Sequence, residues 1–325
     1  VLYALTTLSS MFTVTAAVSI VTAGLFAQLL GWEGSFGMLT IGIFVLCFAW
    51  LALGKYKFLD RSIKVIIGIL FLSTVAAFIT TALNTGLHPE WSSAPNWSEI
   101  TDVTFTLALV GWMPTAVDLS VWNSIWTVNK MKGRDVGSNL KEVLREFHLG
   151  YWLSAVSALL FLGIGTMLMF NSPEELPAGA VGFAGALVEL YGIALGSQFK
   201  TIIVIAASAA MFSTTLSVFD GYGRTTRRLV RALSPRIHFP YWLAVGIVAL
   251  GGWFLVVTYQ QRMRELVDLA MLISLVIAPV IAVLNHKLVH SVDFPITHRP
   301  STGMTIWSFV GIAALALLSG AYLMY

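Results

Sequence analysis

The feature that most constrains this chain is the recurrence of apolar runs long enough to cross a bilayer. At about 20 residues per crossing, nine can be marked: 2–30, 36–53, 63–83, 103–128, 151–170, 199–219, 241–259, 266–284 and 305–325. Charged residues make up 11% of the 325 positions and hydrophobic ones 57%, against about 25% charged in a soluble domain. Such a chain cannot wet its own surface. Runs of this length close their backbone hydrogen bonds internally only as helices. The expectation is therefore one all-α integral membrane domain over 1–325 with about nine transmembrane helices. A shorter Gly- and Ala-rich stretch, 178–195, carries Glu189 and is expected on the membrane surface or packed against the bundle.

The connections set the orientation. Lys55, Lys57, Arg61 and Lys64 follow the second run, and Lys130, Lys132, Arg134, Lys141 and Arg145 follow the fourth. Arg224, Arg227, Arg228, Arg231 and Arg236 follow the sixth, and Lys287 and Arg299 the eighth. These are 16 of the 19 basic residues. Cytoplasmic loops carry the excess of Lys and Arg, so loops 54–62, 129–149, 220–239 and 285–303 are expected in the cytoplasm. Their alternation supports the span count independently of hydropathy. The basic clusters read as topology rather than as a surface for nucleic acid or anionic lipid.

One run breaks the pattern. In Leu109-Val110-Gly111-Trp112-Met113-Pro114-Thr115-Ala116-Val117-Asp118, Pro114 has no N–H for the carbonyl of Val110. Backbone groups freed at that depth must line protein, water or a ligand. Gly111, Trp112, Pro114 and Thr115 are therefore expected to form an unwound segment. Asp118 is an ionisable residue within a span, which makes it a candidate to bind or relay a proton. A plainer role also fits, because an acid in the first turn of the lower half-helix is stabilised by the helix dipole. Met113 offers a thioether, a ligand suited to transition metals rather than Mg²⁺ or Ca²⁺, although methionine also fills gaps in cores.

Little else in the spans carries chemistry. Asp268 is the other acid at the edge of an apolar run, and no histidine lies mid-span. His88, His148, His238, His286, His290 and His298 fall in loops or at segment ends, with no two at a spacing that forces a metal site. The single Cys47 excludes an internal disulfide or a Cys-ligated metal and reads as packing. There is no HExxH, nucleophile–base pair or Cys/His cluster, and no enzymatic activity or resident cofactor is expected.

Val110-Gly-Trp-Met-Pro-Thr resembles the A-x-x-M-P-H signature on the broken sixth helix of the NRAMP family, the proton-coupled divalent metal transporters. Segments 10–30, 36–53 and 63–83 resemble that family's third to fifth helices, and Met211-Phe-Ser-Thr-Thr-Leu-Ser resembles its eighth. The resemblance implies the inverted-repeat fold of LeuT, with Met113 and the backbone carbonyl of Val110 as metal ligands. It implies also that two helices precede Val1, since the family's first-helix Asp-Pro-Gly-Asn motif has no counterpart here. Thr115 stands where the family has a proton-linked histidine, and Thr does not titrate near neutral pH. The stretch 266–284 lacks the glutamine often found on the tenth helix.

The expected function is secondary transport of divalent transition-metal ions such as Mn²⁺ or Fe²⁺. The ion is cargo, protons are the coupling ion, and the plasma (inner) membrane is the site. The alternatives are a LeuT-fold carrier of Mg²⁺ or an organic solute, and a non-transporting membrane scaffold or sensor in which the break is only a kink.

Overall fold

The computed structural model describes residues 2–53, 56–85, 100–112, 116, 119–131, 136–169 and 176–324, with side chains described outside 56–64, 85, 100–102, 105 and 136–140. The described residues form eleven α-helices: α1 (Leu2–Leu30), α2 (Phe36–Leu53), α3 (Tyr56–Thr85), α4 (Ile100–Trp112), α5 (Ser120–Met131), α6 (Val136–Met169), α7 (Ala180–Leu195), α8 (Lys200–Leu233), α9 (Tyr241–Tyr259), α10 (Met263–Val289) and α11 (Thr302–Met324). No strand occurs among them. Eight, namely α1, α2, α3, α6, α8, α9, α10 and α11, hold stretches long and apolar enough to cross a membrane. The chain is an all-helical, multi-pass membrane protein.

Charged stretches interrupt hydropathy without interrupting helices. The run expected at 151–170 begins at Val136, and α8 continues through the basic residues to Leu233. Similarly, α3 starts at Tyr56 and α10 reaches Val289, so most of what was expected as loop at 129–149 and 220–239 is helix. The reason is physical: charge is costly in hydrocarbon, but Leu, Lys, Glu and Arg are all good helix formers. A helix leaving the bilayer need not end there.

The bundle is built around α1. Two thirds of its apolar window is buried, against 6% for α11. α1 packs on α7, α8, α9 and α10, and its buried face is made of small residues such as Ser10, Ala16, Ala17, Ala23, Gly24 and Ala27. Small side chains let spanning helices approach closely where no hydrophobic effect drives them together. Hydroxyls complete the contact: Thr22 Oγ1 donates to the carbonyl of Val18 at 2.8 Å and lies 2.8 Å from Thr215 Oγ1 of α8. Tyr222 on α8 donates to Ser10 Oγ at 3.3 Å.

The helix α7 packs inside the bundle. Ala180, Ala184, Val188 and Tyr191 are buried, and Tyr191 and Thr74 of α3 share a hydrogen bond of 2.7 Å. Its first turn is tied to the α9–α10 connection, where the Ala180 N–H donates to the carbonyl of Gln260 at 3.1 Å. A Cβ at Gly24 would collide with the carbonyl of Ala180, so the glycine sets how closely α1 and α7 approach.

The broken span as candidate functional site

The run 103–128 is divided. α4 ends at Trp112 and α5 begins at Ser120. At about 1.5 Å per residue, neither the 13 residues of α4 nor the 12 of α5 reach across about 30 Å of hydrocarbon. Gly111 and Trp112 are the last helical residues of α4 rather than part of an unwound segment. Met113, Pro114, Thr115 and Asp118 lie outside the described residues. Between the helices Ala116 is buried and non-helical, and its carbonyl accepts the N–H of Leu119 at 3.2 Å. The Val110 carbonyl has no i+4 donor in the chain, because residue 114 is a proline. The Val110 side chain is exposed.

The two half-helices have different main partners, although Trp112 at the end of α4 also packs on the cluster that holds Trp122 of α5. Val103, Leu107 and Ala108 of α4 pack on Leu272 and Leu275 of α10, with Leu318 and Tyr322 of α11. A Cβ at Gly111 would collide with the carbonyl of Met271 and lie 3.3 Å from Leu275 Cβ. Glycine is thus required for the approach of α4 to α10, a role different from opening the ladder. Trp112 Nε1 donates to Ser274 Oγ at 2.8 Å, and Ser274 Oγ donates to the carbonyl of Ala270 at 2.9 Å.

α5 turns to α8 instead. Trp122 is buried and meets Tyr222 edge to face, ring centroids 4.6 Å apart. Gly221 makes room, because a Cβ there would collide with the Trp122 indole. Trp126 Nε1 donates to Asp220 Oδ2 at 2.9 Å. The same carboxylate accepts Arg224 Nε at 2.7 and 2.8 Å and the Tyr241 hydroxyl at 2.8 Å. Asp220 is 7% exposed, and its charge is compensated by donors from three helices, the Arg224 guanidinium among them.

Sequence reasoning left Asp220 in a basic loop. The available signal was the Asp-Gly-Tyr-Gly-Arg pentapeptide over 220–224. It pairs acid and base at i,i+4 and inserts two glycines that admit a neighbouring helix. A Cβ at Gly223 would meet Val245 Cγ2 at 2.5 Å and Tyr241 Cε2 at 2.8 Å.

The remaining candidates stand apart. Asp268 lies one turn into α10 with Arg264 Nε at 3.8 Å, an i,i+4 pair on the surface. Cys47 is buried among apolar neighbours. His286 and His290 stack with ring centroids 4.3 Å apart and touch Ser308 and Thr305 of α11. Among the described residues no group of three or more His, Cys, Asp or Glu could hold a metal ion.

No family model matches the chain. An uncharacterized protein of Pasteurella multocida (strain Pm70) is 31% identical over 273 residues, which cover 82% of this chain and 61% of that relative. The chain thus spans less than two thirds of the length of the curated relative it matches.

Proposed function

We propose that the protein is a secondary transporter of divalent transition-metal ions, working by alternating access around the break between α4 and α5 in a LeuT-type inverted-repeat bundle. The observation that carries the reading is the division of one span into two half-helices whose main helix partners differ, α10 and α11 for α4 and α8 for α5. Helix ends at mid-membrane offer freed carbonyls to a cation. The last turn of α4 supplies them at Val110, and Met113, which follows Trp112, supplies the soft ligand that favours Mn²⁺ or Fe²⁺ over Mg²⁺. Asp118 relays the coupling proton in place of the histidine whose position Thr115 takes. The motif resemblance points the same way.

Packing supports the repeat. α1 contacts α2, α9 and α10, while α8 contacts α9, α2 and α3. Exchanging α1 with α8, α2 with α9 and α3 with α10 converts each of the first three contacts into one of the second three. A two-fold repeat makes that demand, and an arbitrary bundle does not. In the proposed orientation the basic ends of α6, α8 and α10 face the cytoplasm of a plasma or inner membrane, and the partners are ion, proton and lipid.

The test is calorimetric binding of Mn²⁺ and Mg²⁺ to the full-length protein and to its Met113→Ala variant. The reading expects Mn²⁺ affinity to fall by about tenfold, or about 1.4 kcal/mol, with Mg²⁺ unaffected. Equal loss for both ions, or none for either, would leave a multi-pass membrane protein whose substrate is something else.

A further inference from the structure

The cytoplasmic extension of α6 is a helix with nothing described against most of it, and its charges are not scattered. Lys141, Arg145, His148 and Trp152 follow at i, i+4, i+7 and i+11, which places them within about 60° around the axis at 3.6 residues per turn. Together with Leu144 and Leu149 they line a shallow groove open to solvent. The two acids of this stretch lie off the stripe, about 100° and 140° away from Lys141. One of them, Glu146, is held by Lys130 of α5 at 2.8 Å, which draws its charge away from the groove.

The stripe continues into the apolar part of the same helix. Trp152 is 69% exposed, and Val156 and Leu159, beyond it on the same face, are also exposed. Along one line, therefore, a cationic head is followed by an indole and then by hydrocarbon. A ligand matching it has an anionic group at one end and an apolar tail in register with Trp152, Val156 and Leu159. Free phosphate would use only the first part, and a zwitterionic lipid would cancel most of the charge attraction.

We infer that the Lys141–Arg145–His148–Trp152 stripe is a binding site for an anionic phospholipid of the adjoining leaflet. The phosphate is held by Lys141 and Arg145, with His148 as a further hydrogen-bonding partner, and one acyl chain lies along Trp152 and Leu159. Arg grips phosphate with a planar fork and Lys as a point charge. Trp favours the headgroup level. The site is independent of the transport reading and requires only that α6 cross a membrane.

The experiment uses the full chain in nanodiscs of phosphatidylcholine doped with brominated phosphatidylglycerol or, separately, brominated phosphatidylcholine. The readout is the quenching of Trp152, taken as the difference between the parent and Trp152→Phe. Quenching by the anionic lipid is expected to exceed that by the zwitterionic one and to weaken as salt screens the contact. In Lys141→Gln/Arg145→Gln the preference should fall by about fivefold per cation, the usual worth of a basic residue at an anionic surface. Lys141→Arg, which keeps the charge, should retain it, so that loss of charge is distinguished from misfolding. Equal quenching by the two lipids, or a preference that survives the double substitution, overturns the site. Displacement of the lipid by inorganic phosphate at constant ionic strength would reassign it to a free anion.

Discussion

The two halves of the broken span are similar in length and opposite in attachment. α4 meets α10 through apolar side chains, a glycine set against a backbone carbonyl, and one neutral hydrogen bond from Trp112 to Ser274. α5 meets α8 through two tryptophans, one of which ends on a compensated buried carboxylate. The first attachment depends on shape and tolerates almost no displacement. The second joins a shape-fitted contact, Trp122 over Gly221, to directed polar bonds on the Asp220 carboxylate. The difference is that α5 is tied by hydrogen bonds to a charged group and α4 by close contact and one neutral hydrogen bond.

The comparison breaks most visibly at Gly111. A valine there places two further carbons beyond a Cβ that already collides with the Met271 carbonyl. Overpacking of a tight contact costs about 1–3 kcal/mol and more where backbone cannot move. Gly111→Val is therefore expected to abolish the folded, monodisperse protein in detergent, as read by size exclusion and thermal melting. Gly246→Ala on α9 is the control, because a Cβ at Gly246 meets nothing within 4 Å. If Gly111→Val melts like the parent, α4 is not anchored by backbone contact and the contrast fails.

Asp220 sharpens the other side. Asp220→Asn keeps the shape but removes the charge that faces Arg224, Trp126 and Tyr241. Hydrogen bonds to charged groups contribute about 1.5–3 kcal/mol, so a loss in that range is expected in the unfolding free energy. The loss should be local in character. A cysteine introduced at the exposed Asn123 of α5 should label faster in Asp220→Asn, while one at the exposed Leu109 of α4 should not change. Faster labelling at both positions would mean that Asp220 supports the whole bundle rather than one half-helix.

Much of this architecture was legible because hydropathy is read locally. The spans, the alternation of basic connections and the interruption between 112 and 120 all follow from the bilayer's intolerance of charge and unpaired backbone. Proline alone was a poor guide, since Pro279 lies inside an uninterrupted α10. What marked the break was a proline combined with Gly111 and an acid in one apolar run. The Asp220 site was hidden for the converse reason. A carboxylate among arginines looks like a wet loop until Trp126, 94 residues earlier, is brought against it. The role of Gly111 was misread similarly, because the carbonyl that demands it belongs to Met271, on a different helix.

The finest test asks whether the two grips are independent. Trp112→Phe removes a neutral hydrogen bond to Ser274 and should cost about 0.5–1.5 kcal/mol, whereas Trp126→Phe removes one to a carboxylate and should cost more. Each can be combined with Asp220→Asn in a double-mutant cycle. Trp126 and Asp220 share a bond, and their effects should fall short of additivity. Trp112 and Asp220 share no hydrogen-bond partner among the described residues, and their bonds join different helix pairs, α4 with α10 and α5 with α8. Their effects should add within about 0.3–0.5 kcal/mol, as separate sites do. Coupling beyond that would show that the break transmits force between its halves in the ground state. The span would then be a bent rod rather than two pieces.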